Sequence, residues 1–178
     1  MATSDGNGDE ASTSVPSPEV KKVMLRSSDG DVFEVEVKAA MELEPIKNVI
    51  EDDCAHGVIP VPNVSSSVLA NVIKYCAKHV EAEADPGTGV YGASWEDLRS
   101  WELDFVTEIR DNHDLLFGLI MGAHYLNVKG LFDLTCQTVA DMMNGKTPDE
   151  IRAMFNIKND YTQEEMEEVQ RENAWAFE

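Results

Sequence analysis

The stretch from residue 145 to 178 carries two complete helix starts, and more large apolar side chains than a short helical hairpin can hide. The first start is Thr147-Pro148-Asp149-Glu150: a hydroxyl at the N-cap, a proline at the first helical position, and a carboxylate three residues beyond the cap. The second, Thr162-Gln163-Glu164-Glu165, repeats the box and sets its acids at the positive end of the helix dipole. The helices that follow present Ile151, Met154 and Phe155, then Met166 and Val169, and the chain closes on Asn173, Trp175 and Phe177. Their wet face is Glu164, Glu165, Glu167, Glu168, Arg171 and Glu172. A pair of helices with an uncovered apolar face is a docking platform. The expectation is a chain that holds another polypeptide.

Upstream, residues 1–20 are rich in Ser, Gly, Asp and Pro and poor in large apolar groups, which predicts a disordered tail. The tail lacks a basic start and an apolar run, so no signal peptide is expected. Val23 and Leu25, then the alternation Phe33-Glu34-Val35-Glu36-Val37, predict two strands joined at the turn Ser27-Ser28-Asp29-Gly30. Short helices are expected near 39–43 and 46–51, broken at Pro45, and Val58-Ile59-Pro60-Val61-Pro62 reads as an edge strand. Residues 65–79 are helical by period, with Val68, Leu69, Val72, Ile73 and Cys76 on one face. Residues 81–94 show no pattern and are expected to be a flexible surface linker. Ser94-Trp95-Glu96-Asp97 caps a helix reaching Trp101 and Phe105. Residues 115–126 are apolar nearly all round, which predicts a helix at the centre of the core. Residues 128–143 set Phe132, Cys136, Val139 and Met143 in one stripe, stopped by Asn144-Gly145.

The chain has 178 residues, enough for one domain with an extension, and a 43% hydrophobic fraction builds a real core. Its 34 acidic residues against 14 basic ones give a formal charge of −20. That argues against nucleic acid, whose phosphates need a basic footprint, and against anionic membranes. No apolar run is long enough to span a bilayer. Cys54, Cys76 and Cys136 are odd in number, widely spaced and free of any Cys-x-x-Cys, so buried thiols in a reducing compartment are expected. His56, His79, His113 and His124 share no ligand spacing, and no phosphate-binding glycine loop or nucleophile elbow occurs. No catalytic residue, metal or cofactor is therefore assigned.

Thr135-Cys136-Gln137-Thr138-Val139-Ala140-Asp141-Met142, Gly145-Lys146-Thr147-Pro148, Phe155-Asn156-Ile157-Lys158-Asn159-Asp160, and Glu172-Asn173 with Trp175 closely resemble the S-phase kinase-associated adaptor of the SCF ubiquitin ligases (Skp, cullin, F-box). Ser27-Ser28-Asp29-Gly30, Phe33-Glu34-Val35 and Pro62-Asn63-Val64 match the same family in order, and the ending Trp175-Ala176-Phe177-Glu178 is most similar to plant members. The resemblance implies an α/β (α+β) BTB/POZ-type fold, a small β-sheet packed by helices, with a helical carboxy-terminal extension. The segments it implies are 21–80 and 95–145 for the BTB/POZ part and 146–178 for the extension. It implies a non-catalytic adaptor in the cytoplasm and nucleus, bridging a cullin to F-box substrate receptors and, indirectly, to a RING subunit. Carried over by position, the F-box surface comprises Phe132, Cys136, Val139, Ile151, Phe155, Ile157, Tyr161, Val169, Asn173 and Trp175, and the cullin surface His124 and Tyr125. The chain departs from the family at His124, where Asn is usual, and at Gly118 and Gly122 inside a helix. Two other readings stay open: a divergent F-box-binding copy with a weakened cullin contact, and an acidic homo-oligomer using its apolar tail to self-associate.

Overall fold

A computed structural model describes residues 21–84 and 93–176, so the tail expected over 1–20 lies outside the described residues. Strand β1 (Lys22–Arg26) pairs antiparallel with β2 (Val32–Glu36), in the register Val23 opposite Val35 and Leu25 opposite Phe33. Strand β3 (Val58–Pro60) adds parallel to the other side of β1, giving the order β2-β1-β3. Pro60 is tolerated because β3 has only one neighbour. Alternation buries Val23, Leu25, Val35 and Ile59 on one face and leaves Lys22 and Glu34 paired at 2.8 Å on the other.

The hairpin turn is tied to a helix distant in sequence. Gly30 supplies the turn's positive φ of 98°, which a side chain would strain. Ser28 donates its N–H to the Val64 carbonyl at 2.9 Å. The Asp29 carboxylate accepts the Ser66 N–H at 2.8 Å and the Ser66 hydroxyl at 2.6 Å. Asp29 thus caps α3 (Ser66–Ala84) from the turn, supplying an acceptor that the helix's first N–H groups lack. Hydrogen bonds from Ser27 and Ser66 hold its carboxyl at about 2, well below the ordinary carboxylate range.

Between β2 and β3 the chain forms the one-turn α1 (Val37–Ala40) and α2 (Glu44–Glu51). The sequence reading places a break at Pro45. The proline instead sits in the first turn of α2, where a missing N–H costs nothing. Helix α3 runs to Ala84 and α4 (Ala93–Arg110) begins at Ala93, so both ends of the expected 81–94 linker are helical, and 85–92 lies outside the described residues. Glu81-Ala82-Glu83-Ala84 are good helix formers, and Lys78 pairs with Glu81 at 2.9 Å, so they propagate the helix.

Helix α5 (His113–Leu126) occupies the centre, against α3 on one side and α6 (Lys129–Met143) on the other. Gly118 and Gly122 set its distance from α3. A Cβ on Gly118 would stand 2.8 Å from Val68 Cγ2, and one on Gly122 would stand 2.7 Å from Val68 Cγ1. The two departures from the family pattern are therefore places where a helix backbone meets a valine side chain directly. Leu116, Leu119, Ala123 and Leu126 are wholly buried along the inner rows of α5. The helix lies at the centre as its composition predicts, but one row of it, Phe117, Met121 and Tyr125, is exposed. The cysteine expectation is corrected as well: Cys76 is buried, its thiol pushed up to about 12 by desolvation, but Cys136 is only half-buried and Cys54 is exposed.

The glycine contacts yield a stability prediction. Val68 is β-branched and stiff within its helix, so it yields little to an added methyl group. Gly122→Ala gains about 1 kcal/mol of helix propensity but overpacks the interface at a cost of about 1–3 kcal/mol. A net loss of roughly 1 kcal/mol is expected in urea unfolding. Adding Val68→Ala in the same chain should recover part of it, so that the double variant is more stable than the sum of the singles.

Candidate docking faces

Helix α6 sets Phe132, Cys136 and Val139 at spacings of four and three, and all three are half-buried on one stripe. The helix stops because Gly145 adopts φ 72° just past the C-cap Asn144. The chain then restarts as α7 (Pro148–Met154). Thr147 donates its N–H to Glu150 Oε2 at 2.8 Å, and the Thr147 hydroxyl accepts the Glu150 N–H at 3.4 Å. After a left-handed Asn156 at φ 52°, α8 (Gln163–Glu172) starts with the same reciprocal box between Thr162 and Glu165, at 2.8 and 3.3 Å. In each box the threonine's backbone N–H, and next its hydroxyl, hold the glutamate carboxyl below its usual range.

Both helices are thus fully capped, yet neither buries a single residue. Ile151, Phe155 and Val169 are half-buried. Ile157 is 53% exposed, Tyr161 50% and Trp175 79%. Asn173 is half-buried and donates its side-chain amide to the Val169 carbonyl at 3.0 Å, closing α8 ahead of the 3₁₀ turn Ala174–Ala176. Phe155 differs from its neighbours. Its ring stands edge-on to Phe117 at 5.4 Å and to His113 at 5.1 Å, so it seats α7 on the first turns of α5.

His124 and Tyr125 are both exposed in the last turn of α5. The structure extends their surface with two residues that the sequence reading missed. Met121, 70% exposed, and Phe117, 40% exposed, continue the row from Tyr125 at a spacing of four. That period is present in the sequence, but with apolar residues on every side of α5 no wet face picks out the open row. The row runs from Tyr125 at one end of α5 to Phe117 and Phe155 at the other, so the two expected surfaces adjoin along one helix. His124 also contacts Phe132 ring to ring at 5.8 Å.

Among the described residues no group of three or more His, Cys, Asp or Glu could hold a metal ion, and no helix is long and apolar enough to cross a membrane. The arrangement offers apolar surface backed by rigid elements.

Comparison with known proteins shows the family. The family model described as Skp1 family, tetramerisation domain, matches residues 21–81, and the one described as Skp1 family, dimerisation domain, matches residues 129–176. The chain is 56% identical over 160 residues to SKP1-like protein 1A of Arabidopsis thaliana, covering 89% of this chain and 98% of the relative. It is 54% identical over 171 residues to SKP1-like protein 1 of Oryza sativa subsp. japonica, covering 90% and 97%. It is 53% identical over 161 residues to SKP1-like protein 4 of Arabidopsis thaliana, covering 89% and 97%. Its three-stranded sheet packed by helices is the BTB/POZ-type part of such a protein, α7 and α8 are its extension, and the chain belongs to the Skp1 family, the SCF adaptors that link a cullin to F-box proteins.

Proposed function

We propose that this adaptor uses two adjoining faces, taking the F-box on α6, α7 and α8 and the cullin on the outer row of α5. The observation that carries the reading is a pair of fully capped helices that bury no residue, with Ile157, Tyr161 and Trp175 at least half open to water. Apolar area of this kind is stabilised when a partner removes it from water. The F-box face comprises Phe132, Cys136, Val139, Ile151, Ile157, Tyr161, Val169, Asn173 and Trp175, with Phe155 holding α7 in place as well as contributing its ring. The cullin face comprises His124 and Tyr125, extended by Met121. The chain supplies no catalytic group; it sets the distance between a substrate receptor and a scaffold, and a RING subunit joins through the cullin. The three free thiols suit the reducing cytoplasm and nucleus, where this reading places the protein.

Self-association through the same open face is the second reading, favoured by the word dimerisation in the description of the family model that matches residues 129–176. Gel filtration over a range of concentrations separates the two. A dimer that a purified F-box domain dissolves uses the shared face, whereas a tight dimer indifferent to that domain favours self-association as the main role.

Amide exchange gives the direct test. Residues 146–176 should exchange quickly in the free protein and slowly once an F-box domain is bound. Slow exchange without partner, unchanged on addition, would sink the assignment. Trp175→Ala should weaken F-box binding by about 2 kcal/mol, roughly 30-fold in Kd by titration calorimetry, with little change in Tm. Met121→Glu should weaken binding of a cullin amino-terminal domain at least about tenfold, since it places a charge in an apolar contact, while F-box affinity stays within about twofold.

The capping boxes add a pH dependence. A carboxyl held below its ordinary value of 4.5 contributes stability that is present above that value and is lost as pH falls through the depressed one. Helix content in α7 and α8 should therefore decline below about pH 4.5, and Thr147→Ala with Thr162→Ala should flatten the decline in circular dichroism.

A further inference from the structure

The two faces also meet where α5 turns back into α6. Helix α5 ends at Leu126, Asn127 turns left-handed at φ 56°, and the Val128 N–H closes on the Ala123 carbonyl at 2.9 Å. The reversal is tight enough to lay the last turn of α5 against the first turn of α6. There the imidazole of His124 meets the ring of Phe132, centroids 5.8 Å apart and planes tilted by 52°. Aromatic pairs attract in that range. His124 is exposed, and among the described residues its ring has no hydrogen-bond or ion-pair partner, so the Phe132 ring is what orients it. Phe132 is half-buried and packs against the edge of the core. The two rings wall a notch of about 190 Å³, closed by Asn127, Lys129 and Asp133.

We propose that His124 is a positioning residue for the F-box as well as a cullin contact: its imidazole holds the Phe132 ring in the orientation that the F-box meets, and the two docking faces are coupled through that contact. The proposal rests on the assignment of Phe132 to the F-box face. A partner that packs on an aromatic ring must immobilise it, and an imidazole already against the ring removes part of that cost before binding. A cullin group seated on His124 fixes the imidazole, and with it the phenyl ring. Linkage then makes the effect mutual: each partner raises the affinity of the other by the same factor. An aromatic pair of this kind corresponds to about two- to tenfold in Kd. The histidine that departs from the family's usual asparagine supplies the aromatic ring that an asparagine lacks.

The test is titration calorimetry of the full chain with a purified F-box domain. His124→Ala should weaken binding about two- to tenfold, and His124→Phe, which restores a ring, should recover it. In a Phe132→Ala background, His124→Ala should add nothing further. Saturation with a cullin amino-terminal domain should tighten F-box binding to the unaltered chain by a comparable factor. Additive losses in the double variant, or no recovery with phenylalanine, overturn the proposal. Unchanged F-box affinity in Phe132→Ala alone removes Phe132 from that face, and the proposal falls with the assignment. Trp175→Ala in the same series then reports whether the rest of the face still binds. Matching thermal melts exclude misfolding, since His124 is a surface residue.

Discussion

Helix α5 meets α3 backbone to side chain, because Gly118 and Gly122 present nothing to Val68. The rest of the molecule is arranged around that approach. Sunk against α3, α5 buries Leu116, Leu119, Ala123 and Leu126 completely. The rotation that buries those rows turns Phe117, Met121 and Tyr125 outward. Helix α6 then folds back along α5 through the left-handed Asn127, and α7 seats Phe155 on Phe117. The open row on α5 and the seat of α7 thus take their position from two residues that have no side chain.

The body and the extension are stabilised by different physics. The body holds a continuous core from the sheet through α3, α4, α5 and the first turn of α6, and a carboxylate in the hairpin turn secures the start of α3. The extension has no core of its own. Its helices form because local capping satisfies their first N–H groups and sets carboxylates against the dipole. Such helices are short, and most helical stability in proteins comes from packing, so these two stay dependent on what covers them.

What could be read in the chain follows the range of the signals. The hairpin, the edge strand, the end of α6 at Gly145 and both capping boxes were legible because each is written within a few residues of where it acts. The open row on α5 was not, since Met121 and Phe117 lie among other apolar residues and only the packed helix shows which of them face water. Pro45 reads as a stop in the sequence because a proline looks alike at a helix start and after a helix end. The Asp29 clamp on Ser66 spans 37 residues, and the His124 contact with Phe132 depends on a reversal that sequence period does not describe. Cys54 counted as an interior thiol by residue type alone, but its segment lies at the surface. Among the residues proposed for the F-box face, Phe155 was legible as a large apolar group but not as the seat of α7.

The edge-on seat of Phe155 has a consequence for how the extension can move. With no residue of α7 or α8 fully enclosed, shifting these helices by an ångström or two breaks few close-packed contacts. A joint of this sort lets one set of platform residues settle to the shape of whatever covers it. The cost of each adjustment falls on the extension, and the outer row of α5, on the helix held by Val68, keeps its place.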